Sequence, residues 1–426
     1  MIKIKSSEFV KNVLTLLTGT ALGQVVMVLF AVVISRLYAP EDFATLEQFA
    51  MIVGILGVVA GGRYEAAVML PKADQEARTV VHLTLLIAAI LAMLLLVITA
   101  LGATQIAHAF GNPGLEPALI WIAPTIFLFV LTTTLGYWFS RSKSYRNVAA
   151  SKTAAPLVSE PAKVAFASTA FKPMGLIFGV VLGHITAASW LTLNAFKKTP
   201  QLFRRSTWRE VQTAAIQFAE YPRYSIAGSL LNMSAQWLHI ALFTFFYGEQ
   251  GLITIGFLAL ARRIIMTPLS MLATSFSQVY YQRLAHAQSD GDIQSDYLRS
   301  LKRMILPGVA LIVFVWLLPA QTTAVVFGDA WREVLSYLRI LIFWFVANAI
   351  GTALAFTLHR IRAQKLILKL DIIHFVVIIV ALFSAYAAGC SPIQALVVFV
   401  ATKVIYIAFN MRMTWMALKR FNTTTA

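Results

Sequence analysis

Long apolar stretches separated by short polar segments run through the whole chain. A membrane-crossing helix needs about 20 mainly apolar residues, and twelve stretches approach this length. Their centres lie near residues 24, 54, 90, 128, 162, 184, 236, 262, 314, 346, 379 and 404. The pattern predicts an all-α integral membrane protein with twelve transmembrane helices.

The fifth stretch is the weakest of the twelve. Pro156, Glu160, Pro161 and Lys163 interrupt its Ala-rich sequence, so an interfacial helix is the alternative. A broken, polar helix is tolerated inside a membrane where it lines a cavity. If this stretch did not cross, every later segment would change sides, which the charge distribution opposes.

Composition and charge fix the predicted orientation. Hydrophobic residues make up 59% of the chain and charged residues 12%, which excludes an ordinary soluble domain. The net charge of +17 would elsewhere suggest nucleic-acid binding, but most of the 35 Lys and Arg residues lie in alternate short loops. Cytoplasmic loops carry such an excess. Both termini are therefore predicted to be cytoplasmic, and no nucleic-acid partner is expected.

The longest basic loop divides the chain near its middle. We predict an N-terminal six-helix lobe over residues 1–196, a basic cytoplasmic inter-lobe loop over 197–222 and a C-terminal six-helix lobe over 223–426. A weak internal repeat aligns Gly19 with Gly228 and Tyr38 with Tyr247. Two repeated bundles around a central cavity are the plan of many transporters.

Motifs for catalysis and cofactor binding are missing from the sequence. No GxxxxGK[ST] motif is present, every loop is short, and the lone Cys390 has no partner for a disulfide or a metal site. We therefore predict no enzyme activity, no cofactor and no metal site.

Basic residues inside or beside the apolar stretches are candidate ligands for an anion. They are Arg262, Arg263, Arg36, Arg63 and Lys403. A charge at mid-membrane costs about 2.5–3.5 kcal/mol on insertion scales and should face protein or water. Arginine binds phosphate well because its planar fork donates two parallel hydrogen bonds. The pattern predicts a cationic cavity; the alternative is that one arginine of the adjacent pair snorkels or pairs with an acid such as Glu220.

Polar residues spaced three and four apart form a stripe along the seventh stretch. They are Ser225, Ser229, Asn232, Gln236 and His239. This spacing places them on one helix face, and Gln24 of the first stretch is assigned to the same group. The stripe is predicted to line the cavity and bind sugar hydroxyls; hydrogen bonding between helices is the alternative.

Three acids are candidates for ion coupling or gating: Glu47, Glu65 and Glu160. An acid inside a membrane can carry a coupling proton, and sodium is the other candidate ion. Local pairing is the alternative for two of them, since Lys163 follows Glu160 by three residues and Arg63 lies beside Glu65.

Several segments resemble a known family. Residues 16–24, 35–43, 63–71, 256–263 and 277–280 are similar to those of bacterial polysaccharide-biosynthesis flippases of the Wzx type, in the multidrug, oligosaccharidyl-lipid and polysaccharide exporter superfamily. The resemblance implies translocation of an undecaprenyl-pyrophosphate-linked oligosaccharide across the bacterial inner membrane by alternating access. It implies a role in making O-antigen lipopolysaccharide or another surface polysaccharide, with polymerase and chain-length proteins as partners.

Two other functions compete with this one. A drug or organic-cation antiporter of the same fold should have an acid-rich cavity, whereas cations outnumber acids here. A membrane polysaccharide polymerase or ligase should have a large basic outer loop, but the longest predicted outer loop, residues 102–117, contains no Lys or Arg.

Overall fold

Helices form every element in the computed structural model, which describes residues 6–286, 290–361 and 363–425. In chain order the α-helices are α1 (Ser6–Leu37), α2 (Pro40–Gly57), α3 (Asp74–Ala109), α4 (Glu116–Leu119), α5 (Ile122–Arg141), α6 (Tyr145–Ala167), α7 (Gly175–Lys198), α8 (Trp208–Gln217), α9 (Ile226–Ala261), α10 (Thr267–His286), α11 (Asp290–Leu317), α12 (Thr322–Phe327), α13 (Val334–Leu354), α14 (Phe356–Arg360), α15 (Gln364–Ala387) and α16 (Pro392–Thr425). Two π-helical segments, Tyr221–Ser225 and Arg262–Met266, flank α9. The predicted all-α architecture is confirmed.

Eight helical segments of the described chain are long and apolar enough to cross a membrane. One of them, Tyr221–Tyr281, has 61 residues, about three times the length that one crossing requires. Gly248 interrupts this segment with φ 55° and ψ −128°, a conformation that glycine adopts without a steric penalty. The break lies where the sequence predicts the turn between the seventh and eighth spans.

The other predicted spans also fall on helices. The first corresponds to the apolar part of α1, Ala21–Leu37, and the second and fifth correspond to α2 and α6. Helix α6 keeps its helical course although it contains Pro156 and Pro161. All twelve apolar stretches are therefore helical, while the number of crossings stays a prediction.

The chain divides into two compact units, Met1–Glu249 and Gln250–Ala426. This division lies next to Gly248, whereas the predicted lobes are separated by the loop at 197–222. The helix of that loop, α8, packs onto α3 within the first unit. The predicted six-helix lobe boundaries remain a prediction.

Two apolar clusters stabilise the first unit. One contains Phe49, Leu119 and Ile126, and the other contains Trp138 and Phe139 together with residues of α3 and α8. A reciprocal cap begins α8, because the Thr207 N–H donates to Glu210 and the Glu210 N–H donates to the Thr207 hydroxyl. The hydrogen bond from the Thr207 N–H lowers the pKa of Glu210, and a bond from Gln75 adds to this effect.

In the second unit, a cluster around Tyr280 and Tyr297 joins α10, α11 and α16. Both tyrosines are fully buried and use their hydroxyls: Tyr280 contacts Thr357 Oγ1 at 2.9 Å, and Tyr297 donates to the Met411 carbonyl at 3.2 Å. Buried phenols need such partners. The contact of Tyr297 with Met411 joins α11 to α16, the helix that carries Lys403.

Candidate functional site

A charged pair is buried in the middle of the first unit. Lys163 Nζ lies 2.7 Å from Glu160 Oε1, and the two side chains are only 4% and 1% exposed. The Ser159 hydroxyl donates to the same carboxylate oxygen at 3.2 Å. The local pairing considered from the sequence is therefore present. The role of Glu160 in ion coupling stays a prediction.

Close helix packing encloses this pair. Tyr38, which directly follows α1, donates its hydroxyl to the Lys163 carbonyl at 2.7 Å. On α7, Gly179 faces the pair so closely that a Cβ there would lie 2.9 Å from the Ser159 carbonyl oxygen and would also collide with Lys163 Cγ. Helices α1, α6 and α7 are thus locked together around one ion pair.

The turn after α2 holds the second predicted acid. Gly62 and Arg63 both have positive φ, 65° and 62°, and Arg63 Nη1 lies 3.3 Å from Glu65 Oε1. The other carboxylate oxygen of Glu65 is buried without a hydrogen-bond partner in the described part of the chain. Burial raises the pKa of the Glu65 carboxyl, and the nearby Arg63 charge opposes this effect.

This turn is tied to the basic loop. Tyr64, between the two charged residues, donates its hydroxyl to the Ala215 carbonyl of α8 at 3.0 Å. A change in the charge of Glu65 would therefore act on a segment that contacts α8 directly. The gating role of Glu65 and the anion-binding role of Arg63 stay predictions.

The polar stripe occupies α9 and the π-helical segment before it. Gln236 donates to the Asn232 side chain at 2.7 Å, and both residues are exposed. Ser225 and Ser229 are half-buried, and His239 is fully buried. Exposed amides on an otherwise apolar helix favour a water-filled surrounding over lipid. On α1, Gln24 has a buried Oε1 without a hydrogen-bond partner among the described residues.

Arg36 and Glu47, two further predicted site residues, lie on the first two helices. Arg36 is exposed in the last turn of α1, and Glu47 is half-buried on α2. Arg63 follows the other end of α2, whose 18 residues span about 27 Å. Arg36 and Arg63 therefore cannot bind one pyrophosphate at the same time.

The arginine pair of the second unit lies in a π-helical segment, whereas the sequence suggests a regular helix. Pro268 has no N–H to donate to the Ile264 carbonyl, and the wider turn instead brings Thr267 Oγ1 within 3.0 Å of the Arg262 carbonyl. Arg263 is 8% exposed and Arg262 is half-buried. Such π-bulges are frequent at functional sites.

Lys403 lies deep in the second unit and contacts a histidine. Its Nζ is 3.1 Å from His374 Nε2 and 5.4 Å from the ring centres of both Trp344 and Phe399. The residue is 3% exposed. Arg262 is close enough to exert a Coulombic repulsion on it. Both residues belong to the five predicted anion ligands, and that role stays a prediction.

His374 is absent from the residues that the sequence pattern selects. It shares no ligand spacing with another residue, but α15 and α16 form a hairpin whose turn contains Gly389. His374 and Lys403 lie nearly equidistant from this glycine, as facing residues of a helical hairpin do. This equal separation along the sequence is the signal that could have identified the contact between His374 and Lys403.

A second missed group is uncharged. Gln48 donates to Thr244 Oγ1 at 3.1 Å and to the Phe110 carbonyl at 3.0 Å, and Asn112 donates to Gln48 at 2.7 Å and to Thr45 at 2.9 Å. Each amide is fully buried. This satisfied network joins α2 to α9 within the first unit and has the properties of a structural element.

Family membership follows from the sequence. The sequence model of the family described as "Polysaccharide biosynthesis protein" matches residues 33–336. The chain belongs to this polysaccharide biosynthesis family. No curated protein matches it at a significant level.

Solved structures show the fold of this polysaccharide biosynthesis protein. A MATE family multidrug resistance transporter of the MOP superfamily, in an inward-facing conformation, superimposes with a TM-score of 0.69 at 16% identity over 96% of each chain. The lipid II flippase MurJ, inward closed, gives 0.71 at 12% identity over 97% of this chain and 90% of MurJ. A MOP superfamily transporter from Pyrococcus furiosus, described as having a binding pocket of reverse polarity, gives 0.62 at 15% identity over 96% of each chain. The protein is a multi-pass membrane protein with the fold of the MATE and MurJ transporters, as the sequence resemblance implies.

Proposed function

We propose that this protein is a flippase for a lipid-linked oligosaccharide. It moves an undecaprenyl-pyrophosphate-linked glycan repeat from the cytoplasmic to the periplasmic leaflet of a bacterial inner membrane. The product supplies O-antigen lipopolysaccharide or another surface polysaccharide, and polymerase and chain-length proteins act after it. Membership of a polysaccharide biosynthesis family and the MurJ-like fold support this proposal.

The single observation that carries it is a group of three basic residues in the second unit, Arg262, Arg263 and Lys403, of which Arg263 and Lys403 are buried. Two cations repel each other strongly in a low-dielectric interior, and Arg262 acts on Lys403 in this way. An anion between or beside them would turn this repulsion into attraction. A pyrophosphate carries the charge and the acceptor oxygens that such a site requires.

The remaining predicted residues receive roles along the route of the cargo. Arg36 and Arg63, which are separated by the length of α2, would meet the pyrophosphate at different stages. The glycan would contact the polar residues of α1, of α9 and of the π-helical segment before α9. These are Ser225, Ser229, Asn232, Gln236, His239 and Gln24. Glu47, Glu65 and Glu160 are candidates for coupling a proton or sodium ion to the movement.

The membrane arrangement that fits this function has twelve spans in two six-helix lobes around a central cationic cavity, with both termini cytoplasmic. Eight segments of the described chain already have the length and apolarity of a span, and the longest contains two predicted crossings. The basic loops then all face the cytoplasm, as the positive-inside rule requires.

Charge-neutral variants in a bacterial host that lacks the protein test this function. Arg262→Gln, Arg263→Gln and Lys403→Gln should each reduce surface polysaccharide and raise intracellular lipid-linked glycan at normal membrane levels. Arg299→Gln is the matched control, because Arg299 is 62% exposed and pairs with Asp296. Normal export by all three variants would rule out the cationic site.

A cation antiporter of the same fold is less well supported. Among the described residues, the buried carboxylates are Glu65 and Glu160, and each contacts a basic residue within its own helix or turn. The buried basic residues are Lys163, Arg263 and Lys403. A site for cationic cargo would need an acid directed at the cargo.

A further inference from the structure

Two basic nitrogens form a hydrogen bond inside the second unit. Lys403 Nζ and His374 Nε2 are 3.1 Å apart, and the lysine is almost fully buried. The His374 ring stacks on Tyr406 at 4.1 Å with an interplanar angle of 11°. Tyr406 is fixed in turn, because its hydroxyl donates to the Leu370 carbonyl and accepts from Asn410.

This contact limits how many protons the pair can hold. A hydrogen bond between two nitrogens requires one N–H and one lone pair. An ammonium group on Lys403 can donate only to a His374 ring whose Nε2 is unprotonated, and a protonated Nε2 can donate only to a neutral amine. If both groups were cationic at 3.1 Å, two donors would face each other in a medium of low dielectric constant. The pair therefore carries at most one positive charge.

The charges around Lys403 and His374 favour the uptake of a proton by this pair when an anion binds nearby. Arg262 is near enough for its charge to act on Lys403, and Arg263 is its neighbour in sequence. On α15, Asp371 lies one turn before His374 and is close enough to act on Tyr406. Helix α13 contributes the Trp344 ring. Helix α11 contacts α16 through Tyr297 and Met411, and Met411 lies two helical turns after Lys403.

We propose that Lys403 and His374 form a proton-binding site that takes up one proton when an anion occupies the surroundings of Arg262 and releases it when the anion leaves. The anion offsets the charge of Arg262, so a second positive charge next to it becomes favourable. The proton reaches either nitrogen from water and is held in the bond between them. The identity of the anion as a pyrophosphate rests on the proposed function, whereas the sharing of a proton by the two nitrogens does not.

Proton sharing can be measured without cargo. The full-length protein, labelled with [ε-13C]lysine in lipid nanodiscs, gives a Lys403 resonance that is assigned by its loss in Lys403→Arg. His374→Phe keeps a ring against Tyr406 but removes the acceptor of the ammonium group. Its Lys403 resonance should therefore titrate at a pH lower by about one unit or more, since a hydrogen bond to a charged group contributes that much.

His184→Phe is the matched control. His184 lies on α7 in the first unit, where it packs edge-on against Phe129, and its replacement should leave the Lys403 titration unchanged. An unchanged titration in His374→Phe would overturn the proposal. If that variant does not fold, His374→Gln also removes the basic nitrogen, and an unchanged titration there would overturn the proposal equally.

Calorimetry with inorganic pyrophosphate then tests the coupling. Binding to the full-length protein at one pH, chosen above the midpoint of the Lys403 titration so that the pair starts uncharged, is measured in two buffers of different ionisation enthalpy. It gives the number of protons taken up per anion. The wild-type protein should take up about one more proton per bound anion than the Lys403→Arg variant, because the guanidinium of that variant is always protonated. Equal uptake would overturn the coupling but leave the flippase proposal intact. If pyrophosphate bound to neither protein, the anionic cargo would be excluded, and the lysine titration would still decide whether the proton is shared.

Discussion

Among single residues, the Glu160–Lys163 pair leads to the clearest stability prediction. Both side chains are buried, so removing one partner leaves a charge in an apolar interior. Glu160→Gln or Lys163→Met should each lower the free energy of unfolding by about 3–5 kcal/mol. The double variant should lose far less than the sum of the two. Denaturant unfolding of the purified protein in detergent measures all three values.

The control for this pair is Arg332–Asp329. It has the same spacing and a distance of 2.9 Å, but its side chains are 71% and 88% exposed, so Arg332→Gln should change stability little. Additive losses in the double variant would show that Glu160 and Lys163 do not stabilise each other.

Contacts between neighbours in sequence are the part of the site that the sequence predicts. Glu160 and Lys163 are three residues apart, and Arg63 and Glu65 are two apart, so helix and turn geometry alone brings them together. The contact between Lys403 and His374 depends on how α15 and α16 pair. No local spacing encodes that pairing, so no sequence pattern selects His374.

At the scale of helices, the contact of α6 with α7 depends on Gly179. Gly179→Ala places a Cβ 2.9 Å from a backbone oxygen of α6, and neither helix backbone can yield easily. The expected loss is about 1–3 kcal/mol, as for other overpacked sites. Gly136→Ala on α5 is the control, because nothing lies within 4 Å of its new methyl group, and it should stabilise the helix by about 0.5–1 kcal/mol. The same unfolding measurement compares them, and equal effects would contradict the packing argument.

The π-helical segment Arg262–Met266 leads to a prediction about transport. Pro268→Ala restores an N–H that can donate to the Ile264 carbonyl, so the segment can rewind as an α-helix. Rewinding would turn Arg262 and Arg263 by about 100°, and export should fall several-fold at normal membrane levels. Surface polysaccharide measures the effect. Pro307→Ala in α11, which remains α-helical through its proline, should export normally; equal export by both variants would argue against a role for the π segment.

The helices were predictable because each apolar stretch is long enough to form a single helix. The π segment Arg262–Met266 was not, because it depends on how the missing N–H of Pro268 is compensated locally. The helical course of α6 through two prolines likewise depends on its neighbours α1 and α7, to which it is bound by Tyr38 and by the fit at Gly179.

For the whole molecule, the apolar pattern and the family resemblance predicted an all-α membrane fold of the MATE-like superfamily, and the match to MATE and MurJ structures confirms that fold. The number of helices that cross the membrane is harder to obtain from the sequence. Helices α2 and α6 carry polar and charged side chains that neighbouring helices bury, so their apolarity alone does not identify them as spans. Membrane orientation requires a chemical measurement.

The single cysteine of the chain provides that measurement. Cys390 lies in the turn between α15 and α16 and is partly exposed. In the twelve-span arrangement this turn is periplasmic, so a membrane-impermeant maleimide should label the wild-type protein in intact spheroplasts and should not label Cys390→Ser. A second reporter, Cys390→Ser with Arg205→Cys, places the thiol in the basic loop and should be labelled only after the membrane is opened.

The two reporters together count the crossings between them. Five predicted spans lie between residues 205 and 390, and an odd number places the thiols on opposite sides. Labelling of both from the same side would mean that an even number of segments crosses there, so one predicted span would be wrong. Labelling of Arg205→Cys in intact spheroplasts, with Cys390 reactive only after lysis, would reverse the orientation. The basic loops would then face the periplasm, against the positive-inside rule, and the proposed direction of cargo movement would have to be reconsidered.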